Sequence, residues 1–66
     1  MININIITKR EVKYNIGMED FTIPAETKGR VIDLLIEEDE TVMFLCEFES
    51  MGIIEWLTAQ DIITER

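Results

Sequence analysis

Apolar and polar residues alternate along most of this chain with a period of two, the signature of strands with one buried face, and not with the 3.6 of a helix. Ile2, Ile4 and Ile6 alternate with Asn3 and Asn5, predicting a strand over 2–8. Val12, Tyr14 and Ile16 alternate with Lys13 and Asn15, predicting a second over 11–16. Thr8-Lys9-Arg10 joins them either as an open turn or as a bend in one long strand. Gly17 opens an irregular segment, Met18 to Lys28, in which Phe21 and Ile23 alternate just before Pro24. A proline cannot donate a ladder hydrogen bond, so this piece reads as an edge strand or an ordered loop. Thr27-Lys28-Gly29 carries a tight-turn signal, with Gly29 free to adopt positive φ. Val31 to Ile36, β-branched and aliphatic, predicts a further strand.

Glu37-Glu38-Asp39-Glu40 follows as a solvated connection, and Val42 to Glu49 is the next strand. Its alternation places Val42, Phe44, Cys46 and Phe48 on one face, with Met43, Leu45, Glu47 and Glu49 on the other. Ser50-Met51-Gly52 fits a three-residue hairpin loop with glycine in the left-handed position. That loop pairs Phe48 with Ile54, Glu47 with Glu55 and Cys46 with Trp56, so that Ile54 and Trp56 join the phenylalanine face. A two- or four-residue loop would place Glu55 among the phenylalanines instead. A single helical turn over Thr58-Ala59-Gln60-Asp61 and a short strand, Ile62 to Thr64, complete the series. The fold expected is mostly β: one domain over 1–66, a five- to six-stranded antiparallel barrel with one helical turn before the last strand.

Size and composition narrow the roles. A chain of 66 residues buries only roughly 60% of its unfolded surface, so disulfides, a metal or self-association usually supplement the core. Cys46 is the only cysteine and there is no histidine, which removes an internal disulfide, a Cys/His zinc site and serine- or cysteine-histidine catalysis. No enzyme activity and no cofactor are implied. No stretch approaches the roughly 20 apolar residues of a membrane helix, and the N-terminus lacks a signal-peptide pattern, so a cytoplasmic location is the expectation.

The charge is uneven. The net charge is −8, and no base stands between Arg30 and Arg66. Nucleic-acid affinity is built largely on lysine and arginine contacts, so direct nucleic-acid binding is not expected.

The run Ile23-Pro24-Ala25-Glu26-Thr27-Lys28-Gly29-Arg30-Val31, with Phe48, Trp56 and Thr58-Ala59-Gln60-Asp61-Ile62 after it, resembles small Src-homology-3-like barrels of bacterial and phage proteins. The resemblance covers about residues 21–64 and implies the fold; such barrels host many unrelated roles. The peptide-binding members use an aromatic-lined groove, whereas alternation here assigns Phe44, Phe48 and Trp56 to the core. Nucleic-acid-binding members carry basic faces, opposite in sign to this chain.

Two groups of side chains invite a functional reading. Glu47 opposite Glu55 would be a carboxylate pair able to share a proton or hold a divalent cation, though two solvated glutamates are the simpler expectation. Glu37 to Glu40 lacks the alternating ligands and central glycine of a calcium loop. Met43, Leu45 and Ile53, rimmed by Glu47, Glu49 and Glu55, would form an exposed apolar patch of the kind that marks interfaces. The function expected is therefore an acidic protein-interaction module whose partner is another protein with a basic surface. Homodimerisation is a further use of the same patch. The alternative is an inhibitor from a phage or mobile element that mimics nucleic-acid charge.

Overall fold

A computed structural model describes residues 3–65. Seven strands follow one another: β1 (Ile4–Thr8), β2 (Val12–Ile16), β3 (Glu19–Ile23), β4 (Lys28–Ile36), β5 (Val42–Phe48), β6 (Ile53–Thr58) and β7 (Ile62–Thr64). Five form one antiparallel sheet in the order β6-β5-β4-β1-β7, and β2 pairs only with β3. Hydrogen bonding stops at β6 and at β7, so the closed barrel expected from the sequence is not found among the described residues. No helix is present among them either. Thr58–Asp61 is a single turn closed by the Asp61 N–H donating to the Thr58 carbonyl at 3.0 Å, too short to propagate as a helix.

The segment read as irregular after Gly17 is a tight hairpin. Gly17-Met18 is a two-residue turn between Ile16 and Glu19, and the ladder continues through Tyr14 opposite Phe21 to Val12 opposite Ile23. A glycine in the first turn position is a known hairpin signature; the acidic pair Glu19-Asp20 at the start of β3 obscured it. β3 ends before Pro24, which therefore never has to donate to the ladder. An isolated hairpin is marginal in water. Ile23 anchors this one by being fully buried, Val12 and Tyr14 pack against the core, and Tyr14 stacks on Phe21 with ring centroids 5.4 Å apart.

The core lies between the hairpin and one face of the sheet and consists of Ile6, Ile23, Val31, Cys46, Phe48, Leu57 and Ile62. A bulge decides which residues of β4 join that face. Val31 opposes Cys46 but Asp33 opposes Leu45, so Ile32 is an extra residue on β4. The extra residue reverses the alternation beyond it, turning Leu34 and Ile36 inward with Val31 while Asp33 and Leu35 face out.

Two polar side chains fasten the connections. Thr8 is 1% exposed; its hydroxyl donates to the Pro24 carbonyl at 2.8 Å and accepts from the Thr27 N–H at 2.8 Å. Asp61 accepts from the Thr58 N–H at 3.1 Å and the Thr58 hydroxyl at 3.0 Å, while its other oxygen takes Arg10 Nε at 3.0 Å. Burial works to raise the Asp61 carboxyl, but the Thr58 and Arg10 donors outweigh it and hold the group below its ordinary value. A carboxyl lowered by folding stabilises the protein above its unfolded value of about 3.9. That contribution is lost as pH falls through the folded-state value. Asp61→Asn is therefore expected to cost about 2 kcal/mol near neutral pH. Its deficit relative to wild type should shrink below about pH 4 in thermal melts; a deficit unchanged by pH would assign the loss to packing instead.

Candidate interaction surface

Register places the outward residues of three adjacent strands in a grid. Leu35 opposes Met43, which opposes Thr58; Asp33 opposes Leu45, which opposes Trp56; Arg30 opposes Glu47, which opposes Ile54. Nothing among the described residues covers this face. Leu35 is 48% exposed, Ile54 54% and Trp56 38%, while Met43 and Leu45 are half-buried between their neighbours. Single exposed apolar residues are unremarkable, but contiguous ones mark contact sites.

Apart from Asp33, exposed in the middle row opposite Leu45, the charged groups sit at the margins. Arg30 Nε donates to Glu47 Oε1 at 2.8 Å, and its Nη2 lies 3.8 Å from Glu49. One arginine thus partly neutralises two carboxylates at the end near the β5–β6 loop. The opposite end runs into the connection Glu37-Glu38-Asp39-Glu40, which has no base in its turn. Glu37 and Thr41 close that turn with a 2.8 Å hydrogen bond, and Glu40 takes a positive φ of 69° within it. The Thr41 side chain first, and then its N–H, 3.0 Å from Asp39 Oδ1, hold the Asp39 carboxyl below the ordinary value. All four acids remain exposed.

The expected patch is therefore present in part and composed differently. Met43, Leu45 and Glu47 lie together as expected, and Glu49 follows just beyond β5. Ile53 and Glu55 do not join them. The β5–β6 loop has four residues, 49–52, with Phe48 opposite Ile53 and Cys46 opposite Glu55. Ile53 and Leu57 turn to the core, and Ile54 and Trp56 turn out. Trp56, expected beneath the sheet, is a surface residue. Glycine placement could not separate the two loop lengths, because Gly52 is the last loop residue in both and takes φ 66°. The objection to Glu55 near the phenylalanines fails because β6 is an edge strand. From that edge Glu55 reaches a cleft of roughly 530 Å³ that it shares with Arg10, Lys13, Tyr14 and Trp56, and its Oε1 accepts from the Trp56 N–H at 3.1 Å. The Glu47–Glu55 carboxylate pair is consequently not formed. Among the described residues, no group of three or more cysteine, aspartate or glutamate side chains is gathered to hold a metal ion.

Cys46 is fully buried, and burial first, with the nearby Asp61 charge second, pushes its thiol up to about 11. A thiol in that state is not a nucleophile at neutral pH. No protein-family model, curated protein or solved structure matches the chain.

Proposed function

We propose that this chain is a protein-interaction module without catalytic activity of its own, which binds through the outer face of β4, β5 and β6. The observation carrying this reading is the uncovered run Leu35, Met43, Leu45, Ile54 and Trp56 in register on one face. Trp56 is the natural anchor, since tryptophans dominate the energetics of many interfaces. The unpaired acids of the β4–β5 connection favour a partner whose apolar contact is bordered by lysine or arginine. Such charges act mainly on the encounter rate, and the apolar centre sets the lifetime of the complex. Mimicry of nucleic-acid charge draws less support, because Glu47 and Asp61 are already neutralised by Arg30 and Arg10.

An opened Src-homology-3-like barrel is the fold reading we favour. Its support is the sheet order, the hairpin inserted between β1 and β4, the bulged long β4 and the single turn before β7. The proposed contact face does not depend on that reading.

Capture of a native-host partner on immobilised wild-type chain, compared with Leu45→Glu and Trp56→Ala, tests the proposal. The wild-type complex should persist through a high-salt wash, and each variant should bind at least tenfold more weakly, about 1.4 kcal/mol. Equal capture by Leu45→Glu would sink the outer-face reading. A nucleic-acid enzyme released by salt and indifferent to both variants would support charge mimicry in its place.

A further inference from the structure

β6 is the last strand on its side of the sheet among the described residues. The outward N–H and C=O groups of such an edge strand are a template on which a further strand can form. In an antiparallel pair every second residue turns both groups away from its neighbour. On β6 these residues are Ile54, Trp56 and Thr58, and two of their three N–H groups are taken by carboxylates of the chain itself. Trp56 N–H donates to Glu55 Oε1 at 3.1 Å, and Thr58 N–H donates to Asp61 Oδ2 at 3.1 Å. The Thr58 carbonyl accepts from Asp61 N–H at 3.0 Å, and Arg10 Nη2 holds the Asp61 carboxylate at 2.9 Å. Glu55 is also the one charged residue of β6, and it stands in the core-facing row between Ile53 and Leu57.

We propose that Glu55 closes the β6 edge to strand addition, its carboxylate capping the Trp56 N–H from the core-facing row. Three arguments lead there. An incoming strand must first displace the carboxylate to reach the Trp56 N–H. It would then cover Glu55, which is half-buried and reaches water through the cleft it shares with Arg10, Lys13, Tyr14 and Trp56. Burying a carboxylate without a full set of partners is strongly unfavourable. The third argument is composition. Without Glu55 the strand Ile53–Thr58 is an uncharged run of β-branched, aliphatic and aromatic residues with no proline or glycine, the kind of segment that pairs with other chains. Charge directed inward from an edge strand is one of the ways sheets resist such pairing. The same role accounts for a glutamate in a row that is otherwise apolar. Asp61 closes the end of the same edge but also fastens the turn before β7, so Glu55 is where the two effects separate.

A synthetic peptide of alternating threonine and valine, with a lysine at each end, tests this by titration into the full chain. Trp56 is the sole tryptophan, so its fluorescence reports on the edge directly, and amide exchange at Ile54 and Trp56 shows whether the peptide pairs there. Glu55→Ala should bind the peptide about tenfold or more tightly than wild type, with both amides newly protected. The lysines bias against this result, because the variant carries one acid fewer. Glu55→Val, which favours strand backbone, should behave as the alanine variant does. Glu55→Gln keeps an acceptor oxygen and should resemble wild type. Equal binding by wild type and both apolar variants would overturn the proposal, as would a wild-type chain whose Trp56 amide the peptide already protects. A glutamine variant that binds like alanine would also overturn it, since charge and not the cap would then close the edge.

Discussion

Gly29→Ala is expected to remove about 3 kcal/mol of stability, at the upper end of the usual cost of overpacking. A Cβ built on Gly29 lies 2.7 Å from two ring carbons of Phe48 and 2.8 Å from the Glu47 carbonyl oxygen. Real Cβ atoms do not approach other atoms so closely, so something must move. Phe48 is fully buried, so its ring can move only by displacing core neighbours. The carbonyl belongs to β5 backbone held beside β4 by the Arg30–Glu47 register. Relief therefore requires β4 and β5 to separate where the core is densest. A domain of this length is stable by only about 3–10 kcal/mol, so the substitution places the folded state near its limit. Urea titration should show the midpoint falling steeply. Adding Phe48→Leu to Gly29→Ala should recover only part of the loss, because the carbonyl clash remains. An alanine variant as stable as wild type would show that β4 and β5 do not approach this closely.

Thr8→Val is the second large effect, also about 3 kcal/mol. The two side chains have nearly the same shape, so packing is conserved and the hydroxyl alone is lost. That hydroxyl serves two backbone groups, the Pro24 carbonyl and the Thr27 N–H. The Pro24 carbonyl keeps the Thr27 hydroxyl at 2.6 Å, so the Thr27 N–H alone loses its partner, and a buried polar group left so costs about 1–3 kcal/mol. The β3–β4 connection is also tied to β1 by the Thr8 N–H to the Thr27 carbonyl at 3.0 Å, and by the Glu26 N–H to the Thr8 carbonyl at 2.9 Å. These survive in the variant, so the connection should loosen and not detach. Thr8→Ser keeps the hydroxyl and should lose about 1 kcal/mol, the methyl contribution. Thermal melts give the magnitudes, and amide exchange at Thr27 locates the change. A valine variant with wild-type protection at Thr27 would assign Thr8 a packing role only.

Sites of both kinds escaped a reading by pattern. Thr8 reads as the end of an alternating strand beside a turn, and nothing local pairs it with residues 16 and 19 positions ahead. Gly29 reads as a turn glycine from its neighbours Thr27 and Lys28. In the fold it lies inside β4, and close approach is what requires it. The proposed contact face was half visible in the sequence. Met43 and Leu45 were placed outward correctly because β5 alternates without interruption. The β6 half was displaced by one residue, which moved Trp56 and Ile54 from the core to the surface, and Ile53 and Glu55 off it.

Local pattern placed most of the strands, but β4 begins at Lys28, three residues before the expected Val31, and β3 lies in the segment read as irregular. Period-two alternation is a property of neighbouring residues, and the described ends of β2, β5 and β7 fall within a residue of those expected. Composition likewise determined the acid-rich second half and the lack of an internal disulfide. Only the tertiary structure decided which face each residue of β6 presents and which residues of β4 turn inward. Two loop lengths satisfy Gly52 equally, and a strand slipped by one residue exchanges its faces completely. The choice rests on what lies across the sheet and at its edge. Ile53 and Leu57 complete the core under the β2–β3 hairpin, and Glu55 stays in reach of water because among the described residues no strand pairs beyond β6.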